Sequence, residues 1–347
     1  MAQYNEFLGI RLPIIQAPMA GVQDRDLALA VSAAGGLGSL PCAMLSHDKL
    51  RSELASIQTQ SSSPVNVNFF CHTPPIPNPQ HEARWRSALK PYLDEFGIQA
   101  DEIPPGVERR PFSHDVADVL EEFKPGVISF HFGLPDPDLL ARVKEWGATV
   151  LSSATTLAEA LWLEAHGADA IIAQGLEAGG HRGMFLSKDL STQMGTFALL
   201  PQVVEKVSVP VIAAGGIVDA QGTAAALALG ATAVQVGTAY LLCTETKTTP
   251  IHRAALKSDK ADHTTMTNLF SGGPARGIIN RVIQEIGPMS DQTPPFPLAS
   301  TAITALRKQA EQSGSGDFSP LWCGQNASGC KEISARELTH ELAKVEI

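Results

Sequence analysis

The residues with the clearest capacity for chemistry lie in one glycine-rich run, from Gln174 to Gly183. The run reads QGLEAGGHRG and places His181 among four glycines. A histidine titrates near neutral pH, so it can accept or donate a proton during catalysis. Glycine lets the backbone come close to a ligand because it has no Cβ atom. We therefore predict that His181 is a catalytic base. The other histidines except His131 are interpreted as surface or core side chains; they are His47, His72, His81, His114, His166, His252 and His263.

Two further glycine clusters point to a phosphate. Gly215 and Gly216 follow one apolar run, and Gly237 with Thr238 follows the next. Barrels of parallel strands commonly bind phosphate with the loops after their seventh and eighth strands. Because both loops carry glycine, we predict a phosphate site there, although glycines that only form tight turns are the alternative.

Polar side chains also lie near the ends of apolar runs. Asn68, Gln174 and Gln235 are amides, which can donate and accept hydrogen bonds and so suit the edge of a planar heterocycle. An amide in a strand can equally satisfy a neighbouring backbone group. His131 has two interpretations: it donates a hydrogen bond to substrate, or it packs beneath the pocket.

Eight short apolar runs precede or contain these residues, and most are separated by helix-like stretches. Such alternation predicts an α/β fold with a parallel sheet, here a (β/α)8 TIM barrel whose chemistry lies at the carboxyl ends of the strands. The predicted strands are Pro13–Met19, Gly36–Pro41, Val65–Phe70, Val127–Phe132, Thr149–Ala154, Ala170–Gly175, Val209–Gly216 and Ala233–Thr238.

Helix signals support this alternation. Asp24, Thr156 and Asp219 can each cap a first turn, and a repeated Gly-Ala pair at Gly147, Gly167 and Gly230 can end a helix in the left-handed conformation. The predicted helices are Asp24–Ala34, Asp136–Trp146, Thr156–His166 and Asp219–Leu229.

The chain is longer than a barrel requires. Its 347 residues exceed the roughly 250 that are typical of this fold, and the pattern breaks after the eighth strand. We assign 1–242 and 296–347 to the barrel and 243–295 to a small domain on the substrate side, with a strand near 263–270. Residues 72–80 are interpreted as an excursion over the barrel mouth.

Composition excludes several classes of protein. A net charge of −10 argues against a nucleic-acid or anionic-lipid surface. The five cysteines are odd in number and widely spread, so neither a disulfide framework nor a metal site is indicated. No signal peptide or membrane-length apolar stretch is found, which predicts a cytoplasmic protein without a membrane partner. Common nucleotide, hydrolase and zinc-protease motifs are also missing.

The quoted clusters, taken in order along the chain, resemble those of class I nitronate monooxygenases, formerly called 2-nitropropane dioxygenases. The resemblance covers nearly the whole chain and rests on 9–21 (GIRLPIIQAPMAG), 67–70 (VNFF), 177–183 (EAGGHRG) and 321–325 (LWCGQ).

This resemblance implies non-covalent FMN, with His181 as the catalytic base. From the residues themselves, His131 and Trp322 are the candidate substrate contacts. The residues expected to bind FMN are Ala17, Pro18, Met19, Asn68, Gln174, Gly179, Gly180, Gly215, Gly216, Gln235, Val236, Gly237 and Thr238.

The implied reaction is the oxidation of an alkyl nitronate, such as propionate 3-nitronate, by dioxygen to a carbonyl compound plus nitrite or nitrate, without a nicotinamide. The partners are then the small-molecule nitronate and O2, and an oligomer is compatible. Two alternatives remain open: an NADH-dependent enoyl or quinone reductase on the same barrel, and a barrel that binds FMN or phosphate without catalysis.

Overall fold

The computed structural model describes residues 7–100, 102–104 and 109–344. The first six residues, part of the stretch assessed for a signal peptide, lie outside these ranges. The strands are β1 (Ile14–Gln16), β2 (Gly38–Pro41), β3 (Val65–Phe70), β4 (Val127–His131), β5 (Thr149–Ala154), β6 (Ala170–Gln174), β7 (Gly180–His181), β8 (Val211–Ala214), β9 (Ala233–Val236), β10 (Thr264–Thr267) and β11 (Ala275–Ile278).

Eight of these strands form a parallel sheet in the order β1-β9-β8-β6-β5-β4-β3-β2. The two ends of the sheet meet, since Ile15 bridges Leu37, and the amide of Leu37 donates to the carbonyl of Ile14 over 2.9 Å. The sheet is therefore closed, and the predicted TIM barrel is confirmed.

The barrel strands bury both faces, which explains their continuous apolar character. Side chains alternate between a cluster inside the barrel and a cluster between strands and helices. Ile172 and Ile212, for example, belong to the inner cluster, whereas Ile171 and Val211 belong to the outer one.

The helices surround the sheet and begin and end where local chemistry predicts. Asp24, Thr156 and Asp219 accept hydrogen bonds from the amides of Asp26, Glu159 and Gly222, over 3.0, 3.2 and 2.7 Å. Gly147, Gly167 and Gly230 have φ values of 88°, 99° and 98°, so the predicted left-handed turns are confirmed. The helices are α1 (Arg25–Ala34), α2 (His47–Gln60), α3 (Pro79–Glu95), α4 (His114–Phe123), α5 (Pro137–Glu145), α6 (Leu157–Ala165), α7 (Thr196–Lys206), α8 (Ala220–Ala228), α9 (Pro250–Leu256), α10 (Arg281–Ile286), α11 (Ser300–Gln312) and α12 (Ala335–Leu342).

A second sheet lies outside the barrel. Its antiparallel strands run in the order β10-β11-β7, so two residues of the glycine-rich loop, Gly180 and His181, pair with β11. The strand predicted near 263–270 is present as β10. The pairing of the loop was not predicted.

Three helices outside the barrel share one apolar cluster. It contains Trp85 of α3, Ile283 of α10 and Leu306 of α11, and Phe318 is fully buried within it. Helix α11 lies in the part of the chain assigned to the barrel, yet packs with α3 and α10. The division at 243 and 295 stays a prediction. Among the described residues, no helix is both long and apolar enough to cross a bilayer.

Candidate active site

A cavity of about 290 Å³ opens at the carboxyl ends of the barrel strands. It brings together residues that are up to 309 positions apart in the chain, from Ala17 to Asn326. The predicted site residues that line it are Ala17, Pro18, Met19, Asn68, His131, Gln174, Gly179, Gly180, His181, Gly215, Gly216, Gln235, Gly237, Thr238 and Trp322.

Val236 is the predicted residue that does not line this cavity. Its side chain is 1% exposed and packs in the cluster between strands and helices. The alternation of side chains along β9 explains the difference, because Gln235 faces the cavity and the next side chain must face away. The carbonyl of Val236 accepts a hydrogen bond from the amide of Ala17, so it supports the neighbouring turn.

His181 lies partly buried in the cavity wall. Its Nε2 atom is 2.8 Å from the hydroxyl oxygen of Ser271, which is buried. Burial lowers the pKa of His181 to about 3, reinforced by the positive charge of Arg109 and, where they are protonated, by His131 and His72. The imidazole is therefore neutral at pH 7 and has a lone pair that can accept a proton.

The backbone of His181 is fixed from two sides. Its carbonyl oxygen accepts hydrogen bonds from Nε2 of Gln174 over 3.0 Å and from Nε2 of His131 over 3.2 Å. Because a carbonyl can only accept, His131 must carry its proton on Nε2, which leaves Nδ1 to accept from the hydroxyl of Ser153 over 3.1 Å. Both ring nitrogens of His131 thus have partners in the protein, and burial lowers its pKa to about 4.

Two charged side chains, Arg182 and Glu177, hold the loop around His181. Arg182, which is fully buried, donates to the carbonyls of Gly175 and Gln174 over 2.6 and 2.7 Å. Burial lowers the pKa of Arg182 to about 10, so the guanidinium stays charged at pH 7. At the other side, Glu177 accepts from the amide of Thr196 over 2.8 Å and caps α7. Oε1 of Gln174 accepts a hydrogen bond from the backbone amide of Gly183 over 2.8 Å. The side chain of Gln174 therefore supports the loop as well as the cavity wall.

Aromatic rings form the wall around His181. The centroid of its ring is 5.2 Å from that of Phe296, 5.5 Å from that of Trp322 and 6.3 Å from that of Phe132. These edge-on contacts restrict the imidazole and keep bulk water from most of its surface. Among the remaining histidines, His72 also packs against Phe296, with 4.9 Å between centroids, which fits its interpretation as a core side chain.

The other end of the cavity is built from glycines. Gly215 and Gly216 have φ values of 118° and 74°, which favour glycine, and Gly237 lies under Ala17 and Met19. Thr238 accepts a hydrogen bond from the amide of Gly324 over 2.9 Å. The two predicted phosphate loops therefore line one cavity together with the Ala17–Met19 turn.

One polar atom in the wall has no partner. Gln235 Oε1 is buried without a hydrogen bond from any residue that the structure describes. A buried acceptor left unsatisfied costs about 1–3 kcal/mol, so such an atom in a cavity marks a position where a ligand can donate.

The sequence did not single out three residues that surround His181, namely Arg109, Ser271 and Phe296. A serine that opens a glycine-rich loop is a weak signal that could have drawn attention to Ser271. None of the three lies near a barrel strand in sequence.

Metal and thiol chemistry find no support in the described part of the chain. No group of three or more His, Cys, Asp or Glu side chains there could hold a metal ion. Burial raises the pKa of Cys323 and Cys330 to about 12, which keeps these thiols protonated and poorly nucleophilic at pH 7.

Known proteins are similar to this chain in sequence and in fold. The model of the nitronate monooxygenase family matches residues 2–344. A nitronate monooxygenase of Pseudomonas aeruginosa is 41% identical over 99% of this chain and 98% of its own length. Among solved structures, the nitroalkane oxidase from Streptomyces ansochromogenes superimposes with a TM-score of 0.89 at 36% identity, over 98% of this chain and 96% of that one. FabK from Thermotoga maritima gives a TM-score of 0.75 at 29% identity, over 99% and 95% of the two chains.

Proposed function

The chain belongs to the nitronate monooxygenase family, and on this premise we propose that it is an FMN-dependent enzyme that oxidises alkyl nitronates with dioxygen. The products are a carbonyl compound and nitrite or nitrate, and no nicotinamide takes part. Propionate 3-nitronate is a representative substrate.

The observation that carries this proposal is the neutral imidazole of His181 in a cavity lined by glycine loops. The ring is held by Ser271 through Nε2, and its backbone is held by Gln174 and His131. A fixed, neutral imidazole can accept a proton from carbon or form a hydrogen bond to an oxyanion, depending on what is bound.

The cavity fits a flavin mononucleotide. The unpartnered Oε1 of Gln235 requires a donor, which the ring N–H of a flavin provides, and the glycines after β8 and β9 line the same cavity, where backbone amides can bind a phosphate. The residues that would hold it are Ala17, Pro18, Met19, Asn68, Gln174, Gly179, Gly180, Gly215, Gly216, Gln235, Gly237 and Thr238. A bound flavin supplies the redox chemistry that His181 and its neighbours lack, namely electron transfer from nitronate to dioxygen.

The surroundings of His181 favour a nitronate over a neutral nitroalkane. With a pKa of about 3, the imidazole is a weak base, so it removes a proton from carbon only slowly at pH 7. A nitronate has already lost that proton and is an anion. For such a substrate His181 needs only to hold the nitro group, while Arg109 adds positive charge to the same wall.

Anaerobic mixing tests this function against the reductase alternative. We expect the absorbance of the flavin to bleach when propionate 3-nitronate is added and to stay unchanged with NADH. Rapid bleaching by NADH, followed by turnover with a quinone or an enoyl thioester, would overturn the proposal in favour of a reductase. A yellow protein that no substrate bleaches would indicate a barrel that binds FMN without catalysis.

A further inference from the structure

Arg109 lies in the wall of the cavity, on the same aromatic ring as His181. Its Cζ atom is 5.9 Å from the centroid of Phe296, whose ring is 5.2 Å from that of His181. Arg109 and His181 both line the cavity, so one small ligand can reach both.

The charge of Arg109 has no counter-charge in the described part of the chain. No carboxylate there forms an ion pair with it, and burial lowers its pKa without any acidic group to raise it. Arg307, the other arginine of this cavity, differs because its Nε atom donates to Glu311 over 2.7 Å. Among the described residues, a carboxylate therefore balances the charge of Arg307 and none balances that of Arg109.

An unbalanced, largely buried cation is costly to keep. Arg109 also opposes protonation of His181, since its charge lowers the pKa of that imidazole. An anion bound in the cavity would pair with the charge of Arg109 and would also offset its repulsion of a protonated His181. The guanidinium is planar and presents parallel N–H donors, which match the two oxygens of a carboxylate.

We propose that Arg109 is a specificity-determining residue that binds a carboxylate carried by the substrate. The preferred substrates are then short nitronates with a carboxylate at the far end from the reacting carbon, held between Arg109 and His181. This inference rests on the proposed function, and a nitronate group itself is the other anion that Arg109 can hold.

Steady-state kinetics with two matched nitronates distinguish these anions. Propionate 3-nitronate carries a carboxylate and propyl 1-nitronate does not. With the FMN-loaded protein, Arg109→Gln should raise KM for propionate 3-nitronate about 10- to 100-fold and change KM for propyl 1-nitronate less than about twofold. Arg109→Lys, which keeps the charge but loses the planar fork, should fall between. Arg110→Gln, on the adjacent exposed residue, removes the same charge and serves as the control.

Equal losses on both nitronates would overturn the inference, because they would mean that Arg109 holds the nitronate group. If Arg307→Gln, and not Arg109→Gln, raised KM for propionate 3-nitronate alone, the carboxylate would be assigned to Arg307. Loss of FMN from Arg109→Gln would mean that the arginine holds the cofactor phosphate.

A binding experiment separates this inference from the proposed function. Succinate, which has carboxylates at both ends and does not react, is titrated while the fluorescence of Trp322 is followed, with Trp322→Phe to assign the signal. We expect Arg109→Gln to weaken succinate binding at least about tenfold and Arg110→Gln to leave it unchanged. If succinate binding depends on Arg109 but no nitronate is turned over, the anion site stands and the proposed function fails.

Thermal unfolding excludes a purely structural role. Because the described residues supply no counter-charge, Arg109→Gln should leave Tm unchanged or raise it. A large drop in Tm for both Arg109→Gln and Arg109→Lys would overturn the inference.

Discussion

His181 shows how its surroundings set the charge of a single side chain. Burial among Phe296, Phe132 and Trp322 disfavours the charged imidazolium, and Arg109 adds repulsion. The ring is therefore neutral at pH 7. It is also held in place, because the carbonyl and Nε2 of His181 each have hydrogen-bond partners. Such a group is suited to orienting an anion.

Replacing His181 by Asn should separate the two classes of substrate. Asparagine can still donate a hydrogen bond to a nitronate, but it cannot accept a proton from carbon. We expect kcat/KM for nitroethane to fall by about 100-fold or more and that for ethyl nitronate by about tenfold or less. Oxygen consumption with both compounds measures this difference.

An equal loss on nitroethane and ethyl nitronate would contradict the role as a base. Retained FMN absorbance in His181→Asn is the control that the cavity is intact.

The local sequence predicted that His181 is a functional residue, but it could not predict which side chains surround its ring. The glycines beside His181 are a signal within ten residues. Arg109, Ser271 and Phe296 come from segments that are 72, 90 and 115 residues away, and an arginine without a partner looks like any surface cation in a sequence. Only the three-dimensional structure shows that no carboxylate among the described residues pairs with Arg109.

Among elements, the loop from 174 to 183 is held by three sets of contacts. Its strand β7 pairs with β11, its own Arg182 donates to the carbonyls of Gly175 and Gln174, and the carbonyl of Glu177 accepts from the amide of Gln325 over 2.9 Å. The segment that carries Trp322 therefore lies directly against the loop that carries His181. Gly179 lies against the backbone of Cys323 and Gly324.

Gly179→Ala should weaken this contact. A Cβ at 179 would lie 2.6 Å from the amide nitrogen of Gly324 and 2.7 Å from the carbonyl carbon of Cys323, so the backbone of one segment must move. We expect the free energy of unfolding to fall by about 1–3 kcal/mol and FMN to be lost on dialysis. Urea unfolding and flavin absorbance measure the two effects.

Gly126→Ala is the matched control for this variant. A Cβ there meets nothing within 4 Å, so its stability and flavin content should stay close to wild type. If Gly179→Ala behaved like Gly126→Ala, the contact between the two segments would not hold the loop.

The barrel strands could be predicted because each one carries its own signal. A buried parallel strand is a continuous apolar run, and each predicted run contains the observed strand. Strand β7 has two residues, Gly180 and His181, too few to show any periodicity. Strand β7 forms because it pairs with β11, which is distant in the sequence, so no local pattern predicts it.

At the scale of the whole molecule, the fold brings distant segments around one cavity. The barrel supplies the glycine loops, and the cluster of α3, α10 and α11 supports Phe318 and, through it, the segment ending at Trp322. The sequence predicted a second unit beyond the barrel. It could not predict that α3 packs with α11, because these helices are over 200 residues apart and both are amphipathic.

This burial has a consequence for stability in mild acid. Burial lowers the pKa of His131 and His252 to about 4 and that of His181 to about 3, from 6.5. Between pH 6.5 and 4 the unfolded chain binds protons that the folded chain does not, so stability falls as pH falls. We expect a loss of up to about 1.4 kcal/mol per pH unit for each histidine, measured by urea unfolding at pH 7 and pH 5.

Ion-paired carboxylates do not account for a loss in this window. Arg281 and Arg51 lower the pKa of Glu95 and Glu122 below 4.5, so these pairs stabilise the fold down to that pH and weaken only below it. His252 separates the histidine contribution, because its Nε2 donates to the carbonyl of Trp322 over 3.1 Å and a glutamine amide can replace that donor without titrating. The pKa of His72 is also lowered by burial, so His252→Gln should reduce the dependence of stability on pH by about a quarter to a third. An unchanged dependence in this variant would mean that buried neutral histidines do not make the molecule sensitive to acid.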